Sequence, residues 1–386
     1  MRALLITEIF PPTHGGSGRW FWELYSRLDK QCYFIAAGQS DSAQKFDQSH
    51  ELPLDRYNLS SADWGFRSRK GLSYYWRTFK TLGRLVKEQN IAALHCGRCL
   101  PEGVVGYMLS RWYRIPLLCF IHGEDIETAS LSREHSLLVK AVLKRSTLLV
   151  CNSENTAQLV TQQWGIQSNK VKVLSPGVDS SRFVPAAANE AEISRLGWHG
   201  RQVILTVGRL QKRKGHDRLL QALPKIVAAL PDVLYVVIGD GEEKPCLQSL
   251  VSELNLTNHV SFLSEVSDEV MLSCYQQCTL FILPNRTVGK DIEGFGMVLV
   301  EAQACGKPVV AGDSGGTRET MLDGQTGYII DCTNTDTISD TLINLLDDQQ
   351  LLDSMGTKGR QHIVENLDWK AHTEQAKTLF SNLTNS

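Results

Sequence analysis

The residues best suited to chemistry in this sequence sit in three short segments and at one histidine. The first segment runs Glu293-Gly294-Phe295-Gly296-Met297-Val298-Leu299-Val300-Glu301. Two glycines around Phe295, just ahead of a helical pattern, leave the helix amino terminus open to a ligand, with Glu293 in the loop and Glu301 two turns along. Both carboxylates could then reach one polyhydroxylated ligand; ordinary helix packing accounts for the pattern equally well. The second segment, Gly208-Arg209-Leu210-Gln211-Lys212-Arg213-Lys214-Gly215, packs four cations between a strand end and a helix that starts near Asp217. Such a cluster would hold a diphosphate and stabilise it as a leaving group. Lys212 and Arg213 read also as a solvated basic turn, whereas Arg209, directly after a glycine at a strand's carboxyl end, is better placed for a ligand.

The third segment is the loop Gly15-Gly16-Ser17-Gly18 before an amphipathic stretch. Glycines at a helix start let amides approach an anion; a flexible surface turn is the plain alternative. It is not a dinucleotide fingerprint, because its glycines begin seven residues past Glu8 rather than in the turn directly after the strand. Gly239-Asp240-Gly241 follows a strand closely but lacks the third glycine, so a Rossmann dehydrogenase is disfavoured. An isolated histidine is most often a core residue; His122, at a strand end before Gly123, is placed for function.

The elements that must position these residues alternate. Short β-branched apolar segments are interleaved with helix-length amphipathic ones, the pattern of βαβ units and a parallel sheet. Strands are expected near Ala3–Thr7, Tyr33–Ala36, Ala92–His95, Leu117–Ile121, Leu148–Cys151 and Val171–Leu174, then near Val203–Val207, Leu234–Ile238, Val260–Leu263, Leu280–Leu283 and Pro308–Val310. The expected fold class is α/β, two doubly wound Rossmann-like domains facing a central cleft. Residues 1–182 form the first domain, 183–199 an Ala-rich linker, and 200–386 the second domain, its last helix either staying there or packing back on the first. Ligands of open α/β sheets bind beyond the carboxyl ends of the strands, and all four chemical features fall there.

Hydrophobic residues make up 42% and charged residues 21%, with 30 Gly and 12 Pro, which excludes collagen-like, mucin-like and disordered classes. No apolar run approaches the roughly 18 residues of a membrane span. The amino terminus reads as a buried strand of a cytosolic protein rather than a signal peptide. Ten cysteines, mostly in apolar surroundings, read as reduced core thiols; Cys96/Cys99 and Cys274/Cys278 lack the second pair a zinc site needs. Net charge is −2, yet residues through Arg182 carry 23 Lys and Arg against 16 Asp and Glu, a balance of +7, and the remainder is −9. The first half should meet something anionic.

Together Glu293 to Glu301, Gly208-Arg209…Lys214-Gly215 and the glycine-rich first loop resemble the retaining glycosyltransferases of the GT-B class, family 4. The likeness continues through Ser175-Pro-Gly-Val-Asp179, Gly312-Asp-Ser-Gly315-Gly316 and Asp323-Gly-Gln-Thr-Gly327. The wording His122-Gly123-Glu124-Asp125 and Asp291-Ile-Glu293-Gly-Phe-Gly is similar to bacterial GDP-mannose-dependent mannosyltransferases of the phosphatidylinositol-mannoside type. The resemblance implies that Arg209 and Lys214 hold the donor diphosphate, with amides near Gly15 and Gly16 contacting it from the other domain. It gives Glu301 the ribose hydroxyls, and gives Glu293 with the amides of Phe295, Gly296, Met297 and Val298 the donor sugar. His122 would face the reacting carbon, and the base would lie against Ser264-Glu265-Val266, where the family more often has glycine than Ser264.

From Leu72 to Lys87 an apolar face is opposed by Arg77, Lys80, Arg84 and Lys87. A solvated helix face and a contact with an anionic membrane fit equally; the resemblance favours a peripheral enzyme on the cytoplasmic membrane face. The expected activity is metal-independent, retaining hexosyl transfer, with mannosyl from GDP-mannose favoured, to a hydroxyl of a glycolipid or lipid-linked saccharide. No cofactor beyond the donor and no nucleic-acid partner is expected, and no Asp-x-Asp occurs in the chain. The alternatives are a GT-B sugar-nucleotide epimerase or phosphorylase, and a non-catalytic sugar-nucleotide-binding protein.

Overall fold

The computed structural model describes residues 2–13, 15–61, 63–264 and 266–383. The chain divides into two compact units, one made of residues through Pro176 together with those from Trp369 onward, the other of Gly177–Asp368.

In the first unit β1 (Arg2–Thr7), α1 (Gly16–Tyr25), β2 (Tyr33–Gly38), α2 (Ala43–Asp47) and β3 (Leu54–Tyr57) precede α3 (Arg69–Glu88) and β4 (Ile91–Cys96). Then come α4 (Val104–Tyr113), β5 (Leu117–Ile121), α5 (Glu124–Ala129), α6 (Arg133–Arg145), β6 (Leu148–Cys151), α7 (Glu154–Gln158) and β7 (Val171–Val173). The strands form a parallel sheet in the order β3-β2-β1-β4-β5-β6-β7. Every residue of β5, Leu-Leu-Cys-Phe-Ile, is buried, as expected of a strand covered on both faces.

The second unit contains α8 (Glu190–Arg195), β8 (Gln202–Val207), α9 (His216–Ala229), β9 (Val233–Ile238), α10 (Lys244–Glu253), β10 (Val260–Leu263) and α11 (Asp268–Gln277). It continues with β11 (Leu280–Leu283), α12 (Met297–Ala304), β12 (Val309–Gly312), β13 (Gly327–Ile330), α13 (Thr335–Leu346) and α14 (Gln349–Asn366). Its parallel sheet has the order β10-β9-β8-β11-β12-β13. The order reverses at β8/β11, the switch point at which open sheets receive ligands. A final helix, α15 (Trp369–Leu383), packs on α1: Phe380 lies 4.6 Å from the His95 ring and stacks on Tyr25.

The division differs from the one read from composition. Residues 183–199 are not a free linker but belong to the second unit. Phe183 is buried against Tyr275, the Gln276 and Gln277 side chains donate to the carbonyls of Val184 and Ala187, and Asn189 caps α8. Backbone groups without a strand ladder are thus satisfied by side chains. Two strands, β3 and β13, add to those expected. Eight of the ten cysteines are buried, Cys32 and Cys246 are exposed, and all are free thiols.

Candidate functional site

In the second unit the site is built where β8 and β11 end. β8 runs into Gly208 and Arg209, and the chain makes one tight helical turn over Lys212–Lys214 before Gly215 starts α9. Gly215 has φ 74°, and a Cβ there would lie 1.7 Å from the carbonyl oxygen of Pro284. Only glycine lets the basic turn press against the loop leaving β11. That contact brings the turn to Glu293. Lys214 Nζ is 2.6 Å and Arg213 Nη1 2.5 Å from the same oxygen, Glu293 Oε2.

The Glu293 loop is fixed from several sides. Arg213 Nε pairs with Asp291 at 3.1 Å, and the Arg213 carbonyl accepts from the Arg286 amide at 2.8 Å. Arg286 in turn makes a two-pronged pair with Asp217, at 2.7 and 2.9 Å. Glu293 N donates to Ser314 Oγ and its carbonyl accepts from Gly316 N. Burial pushes the Glu293 carboxyl up, but Lys214 and Arg213 outweigh it and hold the group below its ordinary range. Glu293 is therefore an ionised, preorganised carboxylate at neutral pH.

Glu293 is followed by buried Phe295 and by Gly296, whose φ of 97° turns the chain into α12. Met297 and Val298, half-buried, are the first residues of α12, whose leading amides have no intrahelical acceptor. Glu301, about one turn into α12, is buried and accepts from Tyr275 Oη at 2.7 Å. Arg209 is exposed at the strand end, beside Gly208, where a Cβ would lie 3.9 Å from Lys214 Nζ. Val266 is half-buried after β10; Ser264 Oγ accepts from Lys244, and Glu265 lies outside the described residues.

Arg213 departs from its reading as a solvated turn residue. It is 5% exposed and bonded to two acids, while Lys212 is exposed as that reading requires. The partners Asp291, Ser314 and Tyr275 were also missed; they are ordinary residues until the fold sets them beside Glu293 or Glu301.

In the first unit His122 directly follows β5. Its Nε2 is 2.7 Å from the Gly97 carbonyl, which can only accept, so Nε2 donates there. The His122 amide donates to Asp125 Oδ1 at 3.1 Å, its carbonyl accepts from Asn152 Nδ2 at 3.2 Å, and Trp20 and Phe21 meet its ring edge-on. Burial raises the Asp125 carboxyl, against the pull of His122. Gly15 precedes α1 and Gly16 opens it, Gly16 being exposed with no atom near its Cα face. Next to this region Arg98 bridges Glu8 and Glu102, a network with no sequence signal.

Comparison with known proteins accounts for both units. The family described as Glycosyltransferase Family 4 matches residues 14–182, and that described as Glycosyl transferases group 1 matches residues 189–362. The chain is 29% identical over 393 residues to a GDP-mannose-dependent alpha-(1-6)-phosphatidylinositol monomannoside mannosyltransferase of Mycolicibacterium smegmatis, covering 98% of each chain. It is 28% identical over 380 residues to the protein of the same name from Mycobacterium tuberculosis, covering 95% of each. The fold is that of Anabaena Alr3699/HepE in complex with UDP, with TM-score 0.81 at 21% identity over 99% of this chain and 100% of that one. WaaG, a glycosyltransferase of lipopolysaccharide biosynthesis, gives 0.73 at 17% identity over 97% and 98%. With one family domain on each unit and GT-B folds as its structural neighbours, this chain belongs to the group 1, family 4 glycosyltransferases.

Proposed function

We propose that the protein transfers a mannosyl group from GDP-mannose to a hydroxyl of a phosphatidylinositol-mannoside-type glycolipid at a cytoplasmic membrane face, retaining the anomeric configuration and using no divalent metal. The observation that carries the choice of substrates is the likeness to the two mycobacterial mannosyltransferases along nearly the whole of both chains.

The roles follow from charge and position. Arg209 and Lys214 neutralise the donor diphosphate and the charge that builds on it as it leaves, the work a bound metal does elsewhere. Glu293, ionised, lies against the donor sugar with the amides of Phe295 to Val298, and its charge stabilises the positive character developing at the anomeric carbon. Glu301 takes the ribose and Val266 the edge of the base. In the first unit, Gly15 and Gly16 are assigned to the diphosphate and His122 to the reacting sugar.

Thermal-shift titration with GDP, UDP and ADP tests the donor. GDP should raise the unfolding midpoint most, by mass action on the folded state. A larger shift with UDP would overturn the choice of GDP-mannose.

A further inference from the structure

His122 is the group of the first unit assigned to the reacting sugar, and one polar contact aims its ring. Trp20 and Phe21 meet the ring edge-on with centroids 5.5 and 5.9 Å away, and such apolar contacts confine a ring without fixing which way its nitrogens point. Direction comes from the bond of Nε2 to the Gly97 carbonyl, at 2.7 Å. The aim of His122 is therefore only as good as the placement of the Gly97 peptide.

Gly97 leaves β4 closely packed: its amide donates to the Ile6 carbonyl at 2.8 Å, and a Cβ there would lie 2.9 Å from Thr7 Oγ1 and 3.0 Å from the Phe21 ring. The same peptide unit runs on into Arg98, which is tied by backbone and side chain. The Arg98 carbonyl accepts from Gly103 N at 2.9 Å, Nε is 3.0 Å from Glu102 Oε2, and Nη2 reaches Glu8 Oε2. Glu102 is 1% exposed and also accepts from the Glu8 amide at 2.9 Å, so it fastens the loop after β1 to the loop after β4. From the other side Asp125, in the first turn of α5, fastens the loop after β4 to the loop after β5. Its Oδ1 accepts from the His122 amide at 3.1 Å, and its Oδ2 from the Cys99 amide at a longer 3.5 Å. Because β1, β4 and β5 are neighbours in the sheet, two acids join three adjacent loops, and the Gly97 carbonyl lies on the segment they share. A buried ion pair adds little net stability to a fold; what the Arg98–Glu102 pair supplies is a fixed peptide, which a ring held to within about half an ångström needs.

We propose that Arg98 and Asp125 are positioning residues for His122: held between them, the Gly97 carbonyl keeps the imidazole in the orientation that serves the reacting sugar. This rests on the role given to His122 above and adds how the ring is aimed.

The test joins kinetics of transfer from GDP-mannose to the imidazole signals of the full chain labelled with ¹⁵N-histidine, His122 being identified by its loss in H122A. D125N keeps an oxygen for the His122 amide and gives up the acceptor for Cys99; R98K keeps a charge beside Glu102 and loses the fork that spans both acids. In each, kcat should fall about tenfold or more, while donor KM, GDP affinity and the thermal midpoint stay at the parent's level. The His122 Nε2–H signal should broaden and exchange with water faster than the parent's. Parent-level kcat in either variant, an Nε2–H signal like the parent's, or a loss of GDP affinity as large as the loss in kcat would each overturn the proposal. Failure of the reading beneath it is separate: the parent would not transfer from GDP-mannose, or H122A would transfer at the parent's rate, while the Nε2–H signal still changed in D125N and R98K.

Discussion

Glu293 keeps a negative charge inside the protein because two cations meet one of its oxygens. If Lys214 turns to a donor diphosphate, Arg213, braced by Asp291, is the cation that stays. Arg213→Met should then move the acid limb of the kcat profile to higher pH, since Glu293 loses part of what holds its carboxyl down, and should cost about 3 kcal/mol of stability in urea unfolding, as breaking a buried pair does. Arg213→Lys should keep the limb near its original pH; an unmoved limb in Arg213→Met would show that Glu293 does not depend on it. Glu293→Gln should lower turnover far more than GDP affinity, because its charge matters most in the transition state, while Glu301→Gln should weaken donor binding. Lys214 and Glu293 stood out in the sequence because each lies next to a glycine between elements, and the structure brings those two together. Arg213 did not, because its partner lies 80 positions away and spacing within a basic turn does not reveal it.

At the scale of elements, the glycines set how closely loops approach. Gly215→Ala should be among the most destabilising single changes: the new Cβ would overlap the Pro284 carbonyl at a positive φ, and the basic turn would have to withdraw from Glu293. A fall in the urea midpoint with loss of donor binding is expected; an unchanged midpoint would remove this contact from the account. The strands that escaped sequence reading are both at sheet edges. β3, Leu54-Asp55-Arg56-Tyr57, carries two charges, and β13 begins on Gly327; an edge strand pairs on one side only and tolerates such residues. Central strands such as β5 and β9 are continuously apolar and were read at once. The return of α15 to the first unit is one of the two placements the sequence left open for the last helix. Removing α15 should destabilise the first unit by uncovering Tyr25 and His95, seen as earlier exchange of β1 and β4 amides.

Across the whole molecule, each unit buries a neutral histidine. Burial pushes His95 down to about 3 and His216 down to about 4, from an ordinary 6.5. Unfolded chains therefore bind more protons than folded ones below pH 6.5, so the stability these residues permit is complete above that value and is lost as pH falls toward their folded values. Urea midpoints should drop between pH 7 and pH 5, and less so in His95→Phe. The charge contrast between the chain's halves was fully legible, as was the α/β class; the place of residues 183–199 was not, because composition cannot show that Phe183, Val184 and Ala187 are held by α11. If cations do the work of a metal, as proposed above, EDTA should leave the transfer rate unchanged, and a loss restored by Mg²⁺ would contradict that part of the mechanism. The central claim is retaining mannosyl transfer, and the most direct measurement is the proton NMR spectrum of the first product formed from GDP-mannose and a phosphatidylinositol monomannoside acceptor. The account predicts a new mannosyl residue with the anomeric configuration it had in the donor; an inverted anomer, or no new anomeric signal, would contradict it.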